Sequence, residues 1–521
     1  MSNSEFLNDW GLILMVFLPL AGALVMLLIP KDEEQTHRWV ALLASLAAAG
    51  VGVALLADFD YDNTAQLQFV VNEPWIDVIR SRFVVGLDGL SVPLVALTLL
   101  ITPLCIIYSW NHFPEPRNPK AFLILLLVLH TGMLGTFVAQ DLILFFVFFE
   151  VVLLPMYFLI GVWGGDNRQY AAIKFFLFTL FGSALMIVSF LALFFVAGGE
   201  TFVIPELAQR ISTPGDFGIE AVPLATQVLI FGGMFMGFGI KVPMFPFHTW
   251  LPDAHTEAPT VGSVILAAIL LKLGTYGFVR VALPILPEAA VEWAPYIGAL
   301  AVIGIIYGAL ACLAQTDMKR LIAFSSVSHM GFTMLGIATL TDFGLNAAVM
   351  GMVAHGLITG MLFFLAGSVK ERYHTLEIRR LGGILVKAPR IGWIFGFTAL
   401  ASLGLPGLAG FWGEFPAILS AYEPGAGLSE VTFRVYMVIA AVGTVFAAGY
   451  LLWLYQRTSF GVTKEEFEDD EIADVEVPEW IAWTPMLVLI LVIGVYPNLV
   501  FRVTDDQLAG VAQMLTAAVG G

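Results

Sequence analysis

The chain has 521 residues, of which 59% are hydrophobic and only 12% are charged, with 24 Lys and Arg against 41 Asp and Glu. A soluble domain carries about a quarter charged residues, so this composition excludes a soluble enzyme and predicts a protein that lies in lipid. The mean hydropathy of +0.88 comes from long, continuous apolar segments. Because backbone amides in lipid are satisfied only within helices or closed barrels, such uninterrupted segments predict membrane-spanning helices.

Fourteen apolar segments are long enough to cross a hydrocarbon core of about 30 Å. They lie at residues 10–29, 38–57, 88–110, 120–138, 141–162, 168–197, 223–247, 260–283, 292–313, 319–340, 344–369, 390–418, 432–456 and 479–501. The predicted fold class is therefore all-α, a polytopic membrane protein with about 14 transmembrane helices. Residues 1–521 are expected to form a single transmembrane domain.

Basic residues predict the orientation of these spans. With the N-terminus outside, fifteen Lys and Arg residues fall in segments that face the cytoplasm, and six fall in segments that face outward. Short loops rich in Lys and Arg stay in the cytoplasm, so both termini are predicted to lie outside. The acidic run within residues 465–471 is expected to be a solvated loop, with a docking site for a basic partner as the alternative.

Proline interrupts two of the predicted spans. The seventh contains KVPMFPFHTWLPDA, with Pro243 and Pro246, and the twelfth contains LGLPGLAGFWGEF, with Pro406. Proline removes a helix hydrogen bond, and a freed carbonyl in lipid needs a partner from protein or water. The breaks lie five spans apart, which predicts two inverted five-helix repeats at 120–283 and 292–456, flanked by helices within 10–110 and 479–501. Paired breaks of this kind indicate an ion site in transporters, while packing alone is the alternative.

Several ionisable residues lie inside these spans, where a charge costs about 3 kcal/mol, and four of them are candidates for function. They are Glu150, Lys241, Lys272 and Glu414. Buried charges are tolerated when they are paired or hydrated, and we expect Glu150 to pair with Lys241. Removal from water favours the neutral form of a lysine, so Lys272 is a candidate proton carrier that responds to this pair. A static salt bridge is the alternative.

Three histidines are candidates for a proton relay, because imidazole titrates near neutral pH. His329 and His355 lie in mid-span, and His248 follows the break in the seventh span. Each is also compatible with a packing role. Zinc binding is not expected, since no cysteine or acidic side chain clusters with these histidines in the sequence. Lys174 is expected to extend to the membrane surface.

Two segments carry a family resemblance. The segment from Lys241 to Thr260, KVPMFPFHTWLPDAHTEAPT, and the segment DLILFFVFFE, which ends at Glu150, resemble the antiporter-like membrane subunits of respiratory complex I and of multisubunit Na⁺/H⁺ (Mrp-type) antiporters. The resemblance covers spans 3–14. In this family the twelfth span carries lysine in subunits L and N but glutamate in the subunit M branch, and this chain has Glu414 there. The chain also lacks room for the long lateral C-terminal helix expected of subunit L.

The resemblance implies a proton-translocating subunit of NADH–quinone oxidoreductase in the bacterial inner membrane. It implies that Glu150 and Lys241 form the charge pair, that Lys272 is the central carrier and that Glu414 controls release to the outside. It further implies that the two mid-span histidines lie on a hydrophilic axis between these groups.

The same resemblance implies the partners and the cofactors. The expected partners are other membrane subunits of the complex, especially the antiporter-like subunits L and N, and the lipid bilayer, with no nucleic acid. No cofactor or metal is expected in this chain, since NADH, FMN, iron–sulfur clusters and quinone would belong to partner subunits. The alternatives are a cation/proton antiporter subunit, a hydrogenase- or ferredoxin-linked relative, and a purely structural membrane subunit with inert buried charges.

Overall fold

The structure is a computed structural model that describes residues 3–520. Met1, Ser2 and Gly521, the chain ends whose outward location is predicted, lie outside the described residues. Thirteen helices in the described part of the chain are long and apolar enough to cross a membrane, which confirms the predicted polytopic helical class. The total of fourteen spans and the inverted repeats stay predictions.

The long helices are numbered here in chain order. They are α1 Leu7–Leu28, α2 Glu34–Asp58, α3 Ser91–Tyr108, α4 Pro119–Val138, α5 Leu142–Trp163, α6 Arg168–Val196, α7 Leu224–Lys241, α8 Thr260–Ile285, α9 Pro287–Leu313, α10 Met318–Ala338, α11 Asp342–Tyr373, α12 in two pieces (Pro389–Ser402 and Ala409–Ser420), α13 Glu430–Ser459, α14 Val477–Val495 and α15 Asn498–Gly520. Two shorter helices, Ile204–Ser212 and Trp250–Glu257, lie in connecting segments.

Two elements were not predicted from the sequence. An antiparallel hairpin of β1 Gln68–Ile76 and β2 Ser81–Leu87 occupies the segment that was expected to be a loop. The hairpin is tied to the start of α5, because the carboxylate of Asp141 accepts hydrogen bonds from the Ser81 hydroxyl and the Arg82 amide. At the other end of the chain, α15 extends well beyond the last predicted span, which was expected to end at residue 501.

Both proline-containing spans are broken, as predicted. Helix α7 ends at Lys241, and regular helix resumes only at Trp250. The Trp250 indole donates to the carbonyl of Ile240 at 3.0 Å, so the last turn of α7 finds a partner inside the protein. In α12, Gly404 and Gly407 adopt φ values of +76° and +94°, which glycine reaches without the steric penalty of a side chain.

Helices α8 and α11 form the centre of the bundle, because the apolar windows of both are completely buried by other helices. Helix α8 also contains two π-helical turns, Leu266–Leu270 and Phe278–Ala282. Such turns shift the hydrogen-bond register and occur often at functional sites. The two most protected helices are therefore the ones that carry Lys272 and His355.

The acidic loop is solvated at its side chains but docked through its backbone. Its carboxylates are largely exposed, and Phe467 anchors it by burial. Lys387 donates to the carbonyls of Glu468 and Asp470 at 2.6 and 3.1 Å, and Arg380 pairs with Glu466 at 3.0 Å. The basic residues that meet this loop thus come from the same chain.

Candidate proton-transfer site

Lys272 is completely buried on α8, directly after the first π-helical turn. Its Nζ donates to the carbonyl of Ala267 at 2.6 Å and lies 2.6 Å from Nδ1 of His355. The lysine therefore contacts a second titratable group across the α8–α11 interface. A hydrogen bond of this kind provides a path along which a proton passes between amine and imidazole.

His329, on α10, joins the second half of the broken helix α12. Its Nδ1 lies 2.5 Å from Oε1 of Glu414. Its Nε2 lies 3.0 Å from the Tyr450 hydroxyl and 3.3 Å from the Ser402 hydroxyl. With the ring proton on Nδ1, the imidazole donates to the carboxylate and accepts from Tyr450, so both ring nitrogens are satisfied. The break in α12 places Glu414 inside the bundle, where this contact forms.

A small cavity with polar and apolar walls lies between the two pairs. The rings of His329 and His355 are 6.1 Å apart, and both line this cavity together with Glu414, Thr333 and Ser402. Within residues 3–520, Nε2 of His355 is buried and has no hydrogen-bond partner. The centre of a water molecule can occupy about 20 Å³ of the cavity. By the same measure, one water needs about 10–15 Å³. The cavity therefore has room for one bridging water.

The ion pair predicted between Glu150 and Lys241 is not formed in this structure. The two groups are close enough to interact electrostatically, but the described residues contain no salt bridge between them within 4.0 Å. The Lys241 ammonium instead lies 4.7 Å from the ring centre of Phe149, which is the residue before Glu150. The aromatic face supplies part of the stabilisation expected from the carboxylate. The pairing of Glu150 with Lys241 as a switchable ion pair stays a prediction.

Close packing brings the α7 break against α8. A Cβ atom at Gly274 would stand 3.1 Å from Cβ of Lys241 and still closer to the carbonyl of Phe238. A glycine at this point of α8 therefore permits the approach. Cβ of Lys241 thus packs against α8 at a position two residues from Lys272 in the sequence.

His248 is not joined to this line of residues by a hydrogen bond within the described part of the chain. Its ring is buried and packs against Tyr307 and Phe245, with centroid distances of 4.8 and 5.6 Å. Neither ring nitrogen has a protein partner among residues 3–520. The contacts of His248 are thus those of a packing residue.

Several buried charged or titratable groups were missed or misplaced by the sequence analysis. His255 is completely buried and stacks on Phe363, and its position in the signature segment seven residues after His248 was the available signal. Lys319 was assigned to a cytoplasmic loop, but it is buried at the start of α10 and donates to the carbonyl of Ala258. Arg280 pairs with Asp88 at 2.5 Å in the bundle interior.

Lys174 forms an ion pair near the start of α6, and its extension to the membrane surface stays a prediction. It pairs with Asp253 at 2.7 Å, and Arg320 approaches the same carboxylate at 3.5 Å. Residues 3–520 contain no group of three or more His, Cys, Asp or Glu side chains that could hold a metal ion.

Comparison with protein families identifies the class of this chain. The model described as "NADH:quinone oxidoreductase/Mrp antiporter, TM" matches residues 139–445, more than half of the sequence. The chain belongs to this family. A second family, "NADH-ubiquinone oxidoreductase chain 4, amino terminus", matches residues 64–136. All of the candidate proton-transfer residues lie within the first match.

Relatives in several bacteria match the chain over nearly its full length. NADH-quinone oxidoreductase subunit M of Rickettsia bellii is 41% identical over 94% of this chain and 95% of the relative. Subunit M of Rhodobacter capsulatus is 39% identical over 97% of each chain. An NAD(P)H-quinone oxidoreductase chain 4 of Thermosynechococcus vestitus is 38% identical over 98% of this chain and 93% of the relative.

Solved structures show the same fold. A chain of respiratory complex I from Thermus thermophilus superposes with a TM-score of 0.85 at 28% identity, over 97% of this chain and 99% of that one. A chain of the Mrp complex from Dietzia superposes with a TM-score of 0.82 at 17% identity, over 100% of both chains. The second likeness concerns the fold alone.

The contact between Lys272 and His355 predicts energetic coupling between them. In a double-mutant cycle with Lys272→Met and His355→Phe, we expect the double variant to lose less stability than the sum of the single variants, by about 1–3 kcal/mol. The reason is that each single substitution leaves a buried polar partner unsatisfied. The measurement is the free energy of unfolding in detergent. The control pairs Lys272→Met with His37→Phe on α2, where the effects should add, and additive effects for His355 as well would contradict the contact.

Proposed function

We propose that this chain is subunit M of a bacterial NADH–quinone oxidoreductase and that it moves protons across the inner membrane. The observation that carries the proposal is the line of buried groups from Lys272 through His355 and His329 to Glu414, which crosses from α8 to α11, α10 and α12. Four titratable groups in one buried line are costly in lipid, and proton transfer is a function that requires them.

The contacts define a sequence of proton transfers. The Lys272 ammonium donates to Nδ1 of His355, and the doubly protonated ring then releases a proton from Nε2 into the cavity. A water in the cavity passes this proton to the pair of His329 and Glu414, which also lines the cavity. Glu414 is the last group in the line and has 12% of its side chain exposed, so it is the proposed release group.

The separation of Glu150 and Lys241 supplies the switch in this proposal. When the two are apart, as here, the Lys241 charge is not neutralised and repels a proton on Lys272. When they pair, the repulsion is removed and Lys272 accepts a proton again. The low dielectric of the bundle makes this repulsion larger than it would be in water.

The remaining parts of the proposal concern the assembly. Protons move from the cytoplasm to the outside, with both chain termini outside, and the free energy comes from quinone reduction in other subunits. The partners are other membrane subunits, with subunits L and N as neighbours, and NADH, FMN, iron–sulfur clusters and quinone bind to the partner subunits. Relatives named subunit M at about 40% identity support this assignment.

A cation/proton antiporter subunit is the second candidate, because the matching family model covers Mrp antiporters as well as NADH:quinone oxidoreductases. Sodium-dependent proton exchange in vesicles that contain this chain but lack the oxidoreductase would support the antiporter. NADH-driven pumping that is independent of sodium supports the oxidoreductase.

Replacing the central carrier tests the proposed function. We expect Lys272→Met in the assembled complex to lower NADH-driven proton uptake into inverted membrane vesicles by about a hundredfold, because a positioned proton-transfer group contributes about 10²–10⁴ in rate. Quinone reduction should fall with it, since the two processes are coupled. The matched control is Lys120→Met, a lysine at the start of α4 that donates only to backbone carbonyls. Normal pumping and normal quinone reduction in Lys272→Met would show that the buried charges are inert.

The orientation has its own test. Alkaline phosphatase, which is active only outside the cytoplasm, should be active when it is fused after residue 521 and inactive when it is fused at residue 462, between α13 and α14. Fluorescent protein fusions at the same two positions should give the reverse pattern. Phosphatase activity at residue 462 alone would invert the proposed direction of transport.

A further inference from the structure

A large apolar cavity on the side of the bundle lies outside the proton-transfer line. It has a volume of about 700 Å³ and is open laterally, between α2, α3, α11, α14 and α15. This volume falls in the range of about 300–1,000 Å³ that is typical of ligand pockets. Its inner wall includes Val353 and Leu357 of α11, which lie two residues before and two residues after His355. The cavity therefore reaches the helix that carries the relay histidine.

The length of the cavity matches one leaflet of a bilayer. Along α3 it extends from Val92 to Leu100, which corresponds to about 12 Å at the rise of an α-helix. One leaflet of the hydrocarbon core is about 15 Å thick. Two tyrosines, Tyr61 and Tyr496, line the cavity at the end where α2 and α14 stop. Tyrosine at helix ends is typical of the boundary between lipid and water, so this end of the cavity lies at the headgroup level.

The same end carries one positive and one negative side chain. Arg502 of α15 is the one charged residue among those that line the cavity, and Asp62 lies 3.6 Å from its guanidinium. Both side chains are mostly exposed, at 68% and 90%, so both are accessible to a ligand. Asp58 and Asp60 add negative charge in the same loop. Arginine binds phosphate, and the neighbouring carboxylates attract a cation. This end of the cavity therefore complements a headgroup that contains both charges.

We propose that this cavity binds one zwitterionic phospholipid with a primary ammonium group, of the phosphatidylethanolamine class. One acyl chain lies in the apolar channel along α3. The phosphate accepts hydrogen bonds from Arg502, and the ammonium donates to Asp62. An anionic phosphatidylglycerol headgroup fits less well, because the acidic loop repels it and it has no cation for Asp62.

Photo-crosslinking of the assembled complex tests this site. The complex is reconstituted with phosphatidylethanolamine, phosphatidylglycerol or phosphatidylcholine, each with a photoactivatable group on one acyl chain, and labelled peptides are identified by mass spectrometry. We expect phosphatidylethanolamine to label the residues that line the cavity about fivefold more than phosphatidylglycerol does. This ratio corresponds to about 1 kcal/mol, the contribution of one charge at a membrane surface.

Variants separate the headgroup contacts from the apolar channel. Asp62→Asn should bring the ratio of the two lipids close to one, and Arg502→Gln should lower labelling by both. Arg434→Gln is the matched control, since Arg434 is another exposed arginine that pairs with Glu430 near a helix end. Ala96→Trp, which fills the cavity, should abolish labelling, while Ala441→Trp on the exposed face of α13 should not.

Three results would overturn the proposal. They are equal or stronger labelling of the cavity by phosphatidylglycerol, labelling of the cavity no higher than that of the exposed face of α13, and labelling of partner subunits in place of the residues that line the cavity. The surface variants keep the test decisive even if Ala96→Trp fails to assemble.

Discussion

The constraint on which the site depends is that an ionisable group buried in a membrane must find a partner within the protein. Among residues 3–520 no carboxylate forms an ion pair with Lys272, which is stabilised by one carbonyl and one imidazole. That arrangement satisfies hydrogen bonds without neutralising a charge, so the lysine is not locked in the ammonium form as it would be in a salt bridge. Arg280 and Asp88 show the contrasting case, a closed ion pair in the same bundle. The same cost of burial thus leads to two different outcomes, one labile and one fixed.

Helix breaks make the labile arrangement possible. Lys241 is the last residue of α7, and Glu414 lies in the second piece of α12, so both charges lie close to a helix break. Irregular backbone is tolerated in lipid only where the surrounding protein satisfies it, as Trp250 does for Ile240. The protein therefore satisfies the interrupted backbone locally. The charges gain access to polar neighbours that a continuous helix would not provide.

Much of the architecture follows from the sequence because apolar length and proline are local signals. Thirteen of the predicted spans match long apolar helices, most of them with ends within a few residues, and both predicted breaks are present. Each named ionisable residue on the line lies in a long or broken helix. The hairpin and α15 were missed, since β1 and β2 lie between two apolar segments and α15 is amphipathic in its polar first half. The separation of Glu150 from Lys241 and the pairing of Arg280 with Asp88 depend on distances of a few ångströms between remote helices, which local patterns do not encode.

Fold alone does not decide between the candidate functions. The Mrp chain and the complex I chain superpose almost equally well on this one, at 17% and 28% identity, so the helix arrangement is shared by complexes with different tasks. Individual side chains distinguish the candidate functions. One of them is Glu414, which stands where other branches of the family are expected to carry lysine. At this position the carboxylate of Glu414 contacts His329, so an acid stands at the end of the buried line.

The central claim is that the buried groups change protonation during turnover. The most direct measurement is the infrared difference spectrum of the complex before and after addition of NADH and quinone, recorded for the parent chain and for Glu414→Gln. We expect a carboxylic acid band in the parent spectrum that disappears in Glu414→Gln and persists in Glu479→Gln, where the buried carboxylate is bound to Arg372. Identical difference spectra for the parent and Glu414→Gln would contradict the account.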